Sequence, residues 1–367
     1  MESTNNCTIA TENSCCGSSS PNNAFIQKHK RFITGSIDTP AGKIPLISAE
    51  IDFKDRQGGC KARWGINRYN YRIEPGIYGI GSPDALSPVY VSANYKLSFD
   101  ILRRSLKGLN GWILVLDTKG INVWCAAGKG TFGTGELVKR IQVSGLSKVV
   151  FRKKLILPQL GAVGINAFEV KKKTGFDVLY GPVLAENIKN YIENGFQASE
   201  SMRTMPFTFK DRLVLTPIQL VNNAKFFILF LLVIFLAGFL PGLKNMPEGR
   251  NQSLRAIIIL ITFYMSGNFL FPLLLPFLPF RSFALKGVLI GIILSIFISL
   301  FLPFSLLTGI AMICFSLSII PFYALLFTGC TTFTSLSGVK KEMRLAMPVL
   351  ITLFAAGLGF YITGKYL

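Results

Sequence analysis

Residues 111–143 read GWILVLDTKGINVWCAAGKGTFGTGELVKRIQV, and this stretch decides the fold of the first half of the chain. The continuous apolar run over residues 112–116 ends at Asp117 and predicts a buried strand. A glycine-rich segment follows, and residues 134–143 then place apolar side chains at helical spacing. The stretch therefore predicts a strand, a loop and a helix in succession.

The same order of elements recurs downstream. Residues 149–151 and 155–158 predict two more strands, and residues 178–180 predict a strand that precedes a helix over residues 182–194. Alternation of strands and helices is typical of a largely parallel sheet covered by helices. We therefore expect an α/β domain over residues 25–222.

The second half of the chain has the composition of a membrane domain. The whole chain has a mean hydropathy of +0.45, and from residue 223 to 367 long runs of Leu, Ile and Phe predict an all-α transmembrane bundle of about five helices. Ion pumps require charged residues in the middle of their membrane spans, and no predicted span has Asp, Glu, Lys or Arg there. An anchor or a docking platform is therefore the simpler interpretation of this half of the chain. The predicted spans are residues 224–243, 255–276, 284–303, 308–328 and 346–364.

The net charge and the cysteine content of the chain indicate which classes of partner and which cellular compartment to expect. The formal net charge of +20 suits anionic membrane lipid or an acidic partner, and no nucleic-acid-binding motif accompanies it. Residues 1–24 are polar, predict a disordered tail and lack the apolar core of a signal peptide. We expect a multi-pass protein of the cytoplasmic (inner) membrane with its soluble domain in the cytoplasm. Seven irregularly spaced cysteines argue against a disulfide framework.

Three interpretations of the glycine-rich segment remain open from residue types alone. Gly128, Gly130 and Gly133 match the G-x-G-x-x-G pattern of dinucleotide sites, but basic residues stand where such sites place an acidic residue. Cys125 is also compatible with a small buried apolar residue. The third interpretation is a thiolate metal ligand facing a flat, bulky cofactor, because small neighbouring residues let the backbone approach a large ring closely.

Residues 122–130, NVWCAAGKG, resemble the signature of the mercury-methylating corrinoid proteins, the HgcA family. Residues 91–100, 112–120, 157–162 and 180–183 are also similar to that family, and to the corrinoid domain of the large subunit of corrinoid iron–sulfur proteins. A C-terminal half with several membrane spans is a further likeness.

The resemblance implies a Rossmann-like corrinoid-binding domain with Cys125 as the lower axial ligand of cobalt. The only histidine is His29, and no D-x-H-x-x-G motif supplies the usual histidine ligand. The cofactor-binding residues implied are Asn122, Val123, Trp124, Cys125, Ala126, Ala127, Gly128, Lys129 and Gly130, with Thr118 and Gly161 in flanking loops.

The reaction implied by the resemblance is corrinoid-dependent methyl transfer. A methyltetrahydrofolate-derived donor supplies the methyl group, which passes from methyl-cobalt(III) to Hg(II) and gives methylmercury. The chain has no C-x-x-C motif, so a ferredoxin-like iron–sulfur protein (HgcB in the family) is the expected reductant. The vicinal pair Cys15 and Cys16 is a candidate relay for Hg(II). The alternatives are a corrinoid methyl carrier of acetyl-CoA-pathway type and a non-enzymatic membrane scaffold or transporter.

Overall fold

The computed structural model describes residues 30–237, 247–331, 334 and 336–366. The chain divides into two compact units. The first contains the residues up to Ile51 together with Tyr69–Tyr180, and the second contains Asp52–Arg68 together with the residues from Gly181 onward. The expected tail over residues 1–24, with Cys15, Cys16 and His29, lies outside the described residues.

Strands and helices are numbered here in chain order. The strands are β1 (Ile33–Thr39), β2 (Gly42–Ile47), β3 (Gly76–Ile80), β4 (Val89–Ala93), β5 (Gly111–Leu116), β6 (Lys154–Leu157) and β7 (Asp177–Tyr180). The helices are α1 (Phe53–Arg63), α2 (Lys96–Ser105), α3 (Val123–Gly128), α4 (Thr134–Val143), α5 (Leu146–Val149), α6 (Ala167–Thr174), α7 (Ile188–Glu193), α8 (Glu200–Arg203), α9 (Phe209–Ala237), α10 (Pro247–Met265), α11 (Phe271–Leu274), α12 (Phe283–Phe301), α13 (Leu306–Phe327) and α14 (Leu336–Tyr366).

The first unit is built on one mixed sheet, in which the seven strands of the described residues follow the order β1-β2-β3-β5-β4-β6-β7. Strands β5, β4, β6 and β7 are mutually parallel. The prediction of a largely parallel sheet is therefore correct for this half and wrong for the other edge. There, the turn before Gly42 folds β1 back on β2 as an antiparallel hairpin, and β3 runs antiparallel to β5.

Two local predictions, one in each unit, are wrong. Val149 ends the short helix α5 and Phe151 is exposed beyond it, so residues 149–151 do not form a strand. Three consecutive apolar residues are too few to distinguish a strand from a helix end. The helix expected over residues 182–194 is a 3₁₀ turn (Ala185–Asn187) followed by α7.

The core of the first unit lies between the sheet and its helices. Every residue of β4 and β5 is buried, as the apolar run over residues 112–116 predicted. Helix α4 has the predicted bounds and buries Leu137, Val138 and Ile141, one apolar stripe, in the same core.

Among the residues that the structure describes, the second unit contains five helices that are long and apolar enough to cross a membrane: Phe209–Leu236, Leu254–Phe277, Phe283–Phe301, Leu306–Phe327 and Ser337–Gly364. The predicted number of about five spans agrees with this finding. The first of these helices begins at Phe209, well before the predicted start at residue 224, because turns that mix charged, polar and apolar residues precede its wholly apolar part. A single turn of π-helix, Ser266–Leu270, interrupts the second.

Candidate functional site

The carboxyl ends of three parallel strands bring the candidate residues of the first unit to one edge of the sheet. Asn94 follows β4, residues 117–122 follow β5, and the 3₁₀ segment Gln159–Gly164 follows β6. In open α/β sheets, ligands bind outside the carboxyl ends of the strands. This edge of the sheet is therefore the candidate ligand-binding site.

Asn94 organises the loop that leads into the motif. Its Oδ1 accepts hydrogen bonds from the backbone nitrogens of Thr118 and Gly120, at 3.1 and 3.0 Å, and its Nδ2 donates to Asp117 Oδ1 at 3.1 Å. Thr118 is fully buried, and its hydroxyl lies 2.7 Å from the Ile121 carbonyl oxygen. Thr118 thus shapes the loop, and its expected contact with a cofactor stays a prediction.

The sharp turn of this loop requires glycine at position 120. Gly120 has a φ of +74°, and a Cβ at this position would collide with the carbonyl oxygen of Tyr69. The loop is therefore fixed from two sides, by Asn94 and by this close approach. A fixed loop holds the start of α3 in one place.

Helix α3 presents the Cys125 thiol to solvent. Asn122 is the N-cap, and its Oδ1 accepts a hydrogen bond from the Cys125 backbone nitrogen at 3.1 Å. Ala126 and Ala127 lie on the opposite side of this one-and-a-half-turn helix and are buried in the core, with Val123 packed against it. Cys125 is exposed and free, so the interpretation of Cys125 as a buried apolar residue is wrong.

Glycines leave open space next to the thiol on the motif side. A Cβ added to Gly128 or Gly130 would meet nothing within 4 Å, and Lys129 between them is exposed. Gly130 has a φ of +79°, which turns the chain from α3 towards Phe132 in the core. The backbone at these two glycines is thus accessible to a large ligand.

The segment Gln159–Gly164 packs directly against α3 through two other glycines. A Cβ at Gly161 would lie 2.5 Å from the ring of the buried Phe132, and a Cβ at Gly164 would lie 3.2 Å from the Cα of Ala127. Tyr180, whose pKa is raised by burial, donates a hydrogen bond of 3.0 Å to the carbonyl oxygen of Ile165 and holds the end of this segment.

A buried polar atom without a hydrogen-bond partner and two exposed apolar side chains are found on these two segments of the described chain. The Oε1 atom of Gln159 is buried and accepts no hydrogen bond within the described part of the chain. The side chains of Trp124 and Val163 are 39% and 89% exposed. A buried acceptor and exposed apolar side chains are both groups that a ligand stabilises when it covers them.

The sequence-predicted site is largely assembled by the fold. The structure brings residues 122–130, Thr118 and Gly161 to one edge, whereas Cys15 and Cys16 lie outside the described residues. Sequence reasoning missed Asn94 and Gln159. Asn94 directly follows a strand, and this position at a strand end is a signal that would have found it. The lack of a hydrogen-bond partner for Gln159 Oε1 among the described residues results from long-range packing, and no sequence pattern indicates it.

The Cys125 thiol is the candidate metal ligand that the described residues supply at this edge. Within the described ranges, no group of three or more His, Cys, Asp or Glu side chains is placed to hold a metal ion. Cys125 can therefore complete the coordination of a metal only when another molecule supplies the remaining ligands. The open space beside Gly128 and Gly130 suits a metal that arrives inside a macrocycle.

Comparison with known proteins finds sequence similarity over the part of the chain that forms this edge. Residues 67–192 match the family model CdhD, described as CO dehydrogenase/acetyl-CoA synthase delta subunit. This segment contains Cys125 and every element that surrounds it at the carboxyl edge.

Curated relatives cover the same part of the chain. The gamma subunit of the acetyl-CoA decarbonylase/synthase complex is 30% identical over 131 residues in Archaeoglobus fulgidus and 33% identical over 124 residues in Methanopyrus kandleri, which is 35% and 33% of this chain. The corrinoid/iron-sulfur protein large subunit of Moorella thermoacetica is 29% identical over 171 residues, or 45% of this chain. The matches span 27%, 26% and 34% of the respective relatives. Over this segment, the chain is similar to corrinoid proteins of the acetyl-CoA pathway type.

Proposed function

We propose that this protein is a membrane-anchored corrinoid protein that carries methyl groups. The observation that carries the proposal is the exposed Cys125 thiol at the carboxyl edge of a sheet whose sequence is similar to a corrinoid/iron-sulfur protein large subunit. When bound, a corrinoid supplies a cobalt ion that accepts and donates a methyl group. The chain's own residues bind this group, orient it and tune it.

The residues at the edge fit a corrinoid in three respects. Cys125 offers one soft ligand, and a corrin ring supplies the equatorial nitrogens that the protein lacks. Gly128 and Gly130 leave room for a broad ring to approach the backbone. The orphaned Oε1 of Gln159 is an acceptor for the amide N–H groups on the rim of a corrinoid.

Cys125 and Asn122 would have distinct roles in holding the cofactor. A thiolate donates more charge to a metal than imidazole does, so Cys125 as a cobalt ligand would favour the higher oxidation state of that metal. Asn122 fixes the first turn of α3 and hence the direction of the sulfur. The hydrogen bond that the Cys125 backbone nitrogen donates to Asn122 therefore fixes the orientation of the Cys125 side chain before a cofactor binds.

The rest of the chain suggests how the carrier works in its setting. Within the described residues, five helices of membrane-spanning length would provide the anchor. The α/β domain faces the cytoplasm, and anionic membrane lipid is a partner of this basic chain. The sequence contains no C-x-x-C motif, so a ferredoxin-like iron–sulfur protein supplies electrons. A methyltetrahydrofolate-derived compound supplies the methyl group.

A second candidate function is transfer of the methyl group to Hg(II). It is favoured by the Cys125 thiolate itself, because an electrophilic cation would take the methyl group together with both bonding electrons, and an electron-rich sulfur ligand would stabilise the cobalt(III) that remains. Residues 122–130, which resemble the mercury-methylating family, surround that ligand. The similarity to acetyl-CoA-pathway subunits supports the carrier more directly, so Hg(II) is one acceptor to be tested.

Replacement of the Cys125 thiol tests the property that both proposed functions share, which is binding of cobalt by Cys125. Purified full-length protein reconstituted with cobalamin is expected to give a cobalt–thiolate absorption band that Cys125→Ala lacks, while Cys125→His gives an imidazole-type spectrum. Cys60→Ala is the matched control, because Cys60 is the other exposed free cysteine of the described residues and belongs to the second unit. An unchanged band in Cys125→Ala would remove Cys125 as the ligand.

The acceptor is identified by an anaerobic assay of the loaded full-length protein. Methyl donor and an iron–sulfur reductant are supplied with either Hg(II) or an acetyl-CoA-forming system, and methylmercury and acetyl-CoA are measured. Methylmercury formed only by protein with an intact Cys125 supports the second function. Acetyl-CoA without methylmercury supports the carrier alone.

A further inference from the structure

The first turn of α9 contains a buried arginine without an acidic partner. Arg212 is only 7% exposed. Its Nη1 donates a hydrogen bond of 2.7 Å to the Phe207 carbonyl oxygen, whereas its buried Nε has no partner within the described residues. Among those residues, none of the ion pairs includes Arg212. A buried guanidinium in this state needs a counter-charge.

The neighbouring carboxylate does not supply that counter-charge. Asp211 Oδ2 accepts hydrogen bonds of 2.8 Å from both the backbone nitrogen and the hydroxyl of Thr208. Asp211 is thus engaged with the residue before the helix. The Phe209 ring, 5.9 Å from the Arg212 guanidinium carbon, covers part of the cation and offers no negative charge.

The position of Arg212 in its helix increases the demand for an anion. The first turn of a helix carries partial positive charge, so a cation there is unfavourable unless an anion lies close. Thr216 and Gln219 continue the same face at the fourth and seventh positions and are also buried, which makes this inner face of α9 polar. Leu213 and Val214, on other faces, are 40% and 38% exposed.

The location of this turn identifies the anion. Helix α9 begins at Phe209, where the first helix of membrane-spanning length also begins. Arg212 therefore lies on the side of the polar turns that precede the apolar part of this helix, which is the side on which a bilayer presents its phosphate groups. The planar fork of a guanidinium matches two phosphate oxygens at once.

We propose that Arg212 is the centre of a phosphate-binding site at the start of α9, separate from the corrinoid edge. The phosphate belongs either to an anionic phospholipid or to a soluble phosphate, and both provide the chemistry that the guanidinium lacks. Binding neutralises the buried cation and the helix end together, so it stabilises the membrane unit.

The test compares full-length protein in nanodiscs of phosphatidylcholine alone with nanodiscs that also contain phosphatidylglycerol. Phosphatidylglycerol is expected to raise the Tm of the wild type and of Arg203→Gln, and not that of Arg212→Gln. Arg203 is the matched control, because it is an exposed arginine in the preceding helix α8. An Arg212-dependent rise produced by inorganic phosphate in phosphatidylcholine nanodiscs assigns the site to soluble phosphate instead.

Equal responses of the wild type and Arg212→Gln to both additions overturn the proposal. Arg212→Lys provides the second readout if the glutamine variant does not fold, since lysine keeps the charge and loses the fork. Its affinity for phosphatidylglycerol or phosphate, by native mass spectrometry, is expected to be about tenfold weaker or more. An affinity equal to that of the wild type contradicts the site.

Discussion

At the scale of single residues, Asn122 decides where the candidate ligand points. It caps a helix of only six residues, which has few other hydrogen bonds to hold it. The Cys125 backbone nitrogen donates to its side chain, so the residue that positions the helix is bonded directly to the residue that carries the thiol. Loss of the Asn122 acceptor oxygen is therefore expected to change the position of the Cys125 thiol more than the stability of the α/β domain.

Asn122→Ala is expected to weaken cobalamin binding about fivefold, because loss of an N-cap costs about 1 kcal/mol. Asn122→Asp retains an acceptor oxygen and is expected to bind like the wild type. Spectroscopic titration of the full-length protein with cobalamin measures both variants. Wild-type affinity in Asn122→Ala would show that the cap does not position the ligand.

Another decisive residue is Asp100, which holds two buried cations in the first unit. Its carboxylate accepts from Lys96 Nζ at 2.7 Å and from Arg103 Nε at 2.8 Å. Arg103 Nη1 also donates to the carbonyl oxygens of Ser48 and Glu50. This cluster ties α2 to the chain that follows β2.

Asp100→Asn is expected to destabilise the protein by about 3–5 kcal/mol, because two buried cations lose their counter-charge. Lys107→Gln is the control, since it breaks only the exposed pair between Lys107 and Glu50 and is expected to leave stability unchanged. Thermal unfolding of the full-length protein in detergent compares the two. Equal Tm values for the two variants would contradict a structural role for the buried cluster.

At the scale of elements, the contact between α3 and the segment Gln159–Gly164 builds the edge of the site. It depends on glycines, because the backbone of the segment lies against Phe132 and Ala127 with no room for side chains. Two pieces of chain about 35 residues apart thus form one surface.

Gly161→Ala is expected to destabilise the protein by about 1–3 kcal/mol and to weaken cobalamin binding, since the added methyl group meets the buried Phe132 ring. Gly135→Ala is the matched control in the adjacent helix α4, where a Cβ meets nothing within 4 Å. Alanine is the better helix former, so this variant is expected to be as stable as the wild type or more so. If both variants unfold at the same temperature, the contact has no effect on stability.

At the scale of the whole molecule, an α/β unit with an exposed thiol shares its chain with helices of membrane-spanning length. The full-length protein is expected to remain in the membrane fraction after an alkaline carbonate wash, because transfer of five apolar helices into water is unfavourable. Release into the supernatant would contradict the membrane assignment.

Much of this architecture could be predicted because it depends on local pattern. The buried strand β5, the exact span of α4 and the number of long apolar helices follow from periodicity and run length. The hairpin of β1 and β2 and the antiparallel β3 could not be predicted in this way. Pairing partners and strand direction depend on residues far apart in the sequence, which periodicity does not report.

Composition and run length alone establish that a cysteine, small residues and glycines follow a buried strand, and that the second half of the chain is apolar enough to enter a membrane. Long-range packing, which is visible in the folded structure alone, exposes Cys125 and buries Ala126 and Ala127. It also leaves Gln159 Oε1 and Arg212 Nε without hydrogen-bond partners among the described residues. The reason is physical. Composition and local spacing fix which element forms, whereas exposure and hydrogen-bond satisfaction depend on which distant segments pack against it.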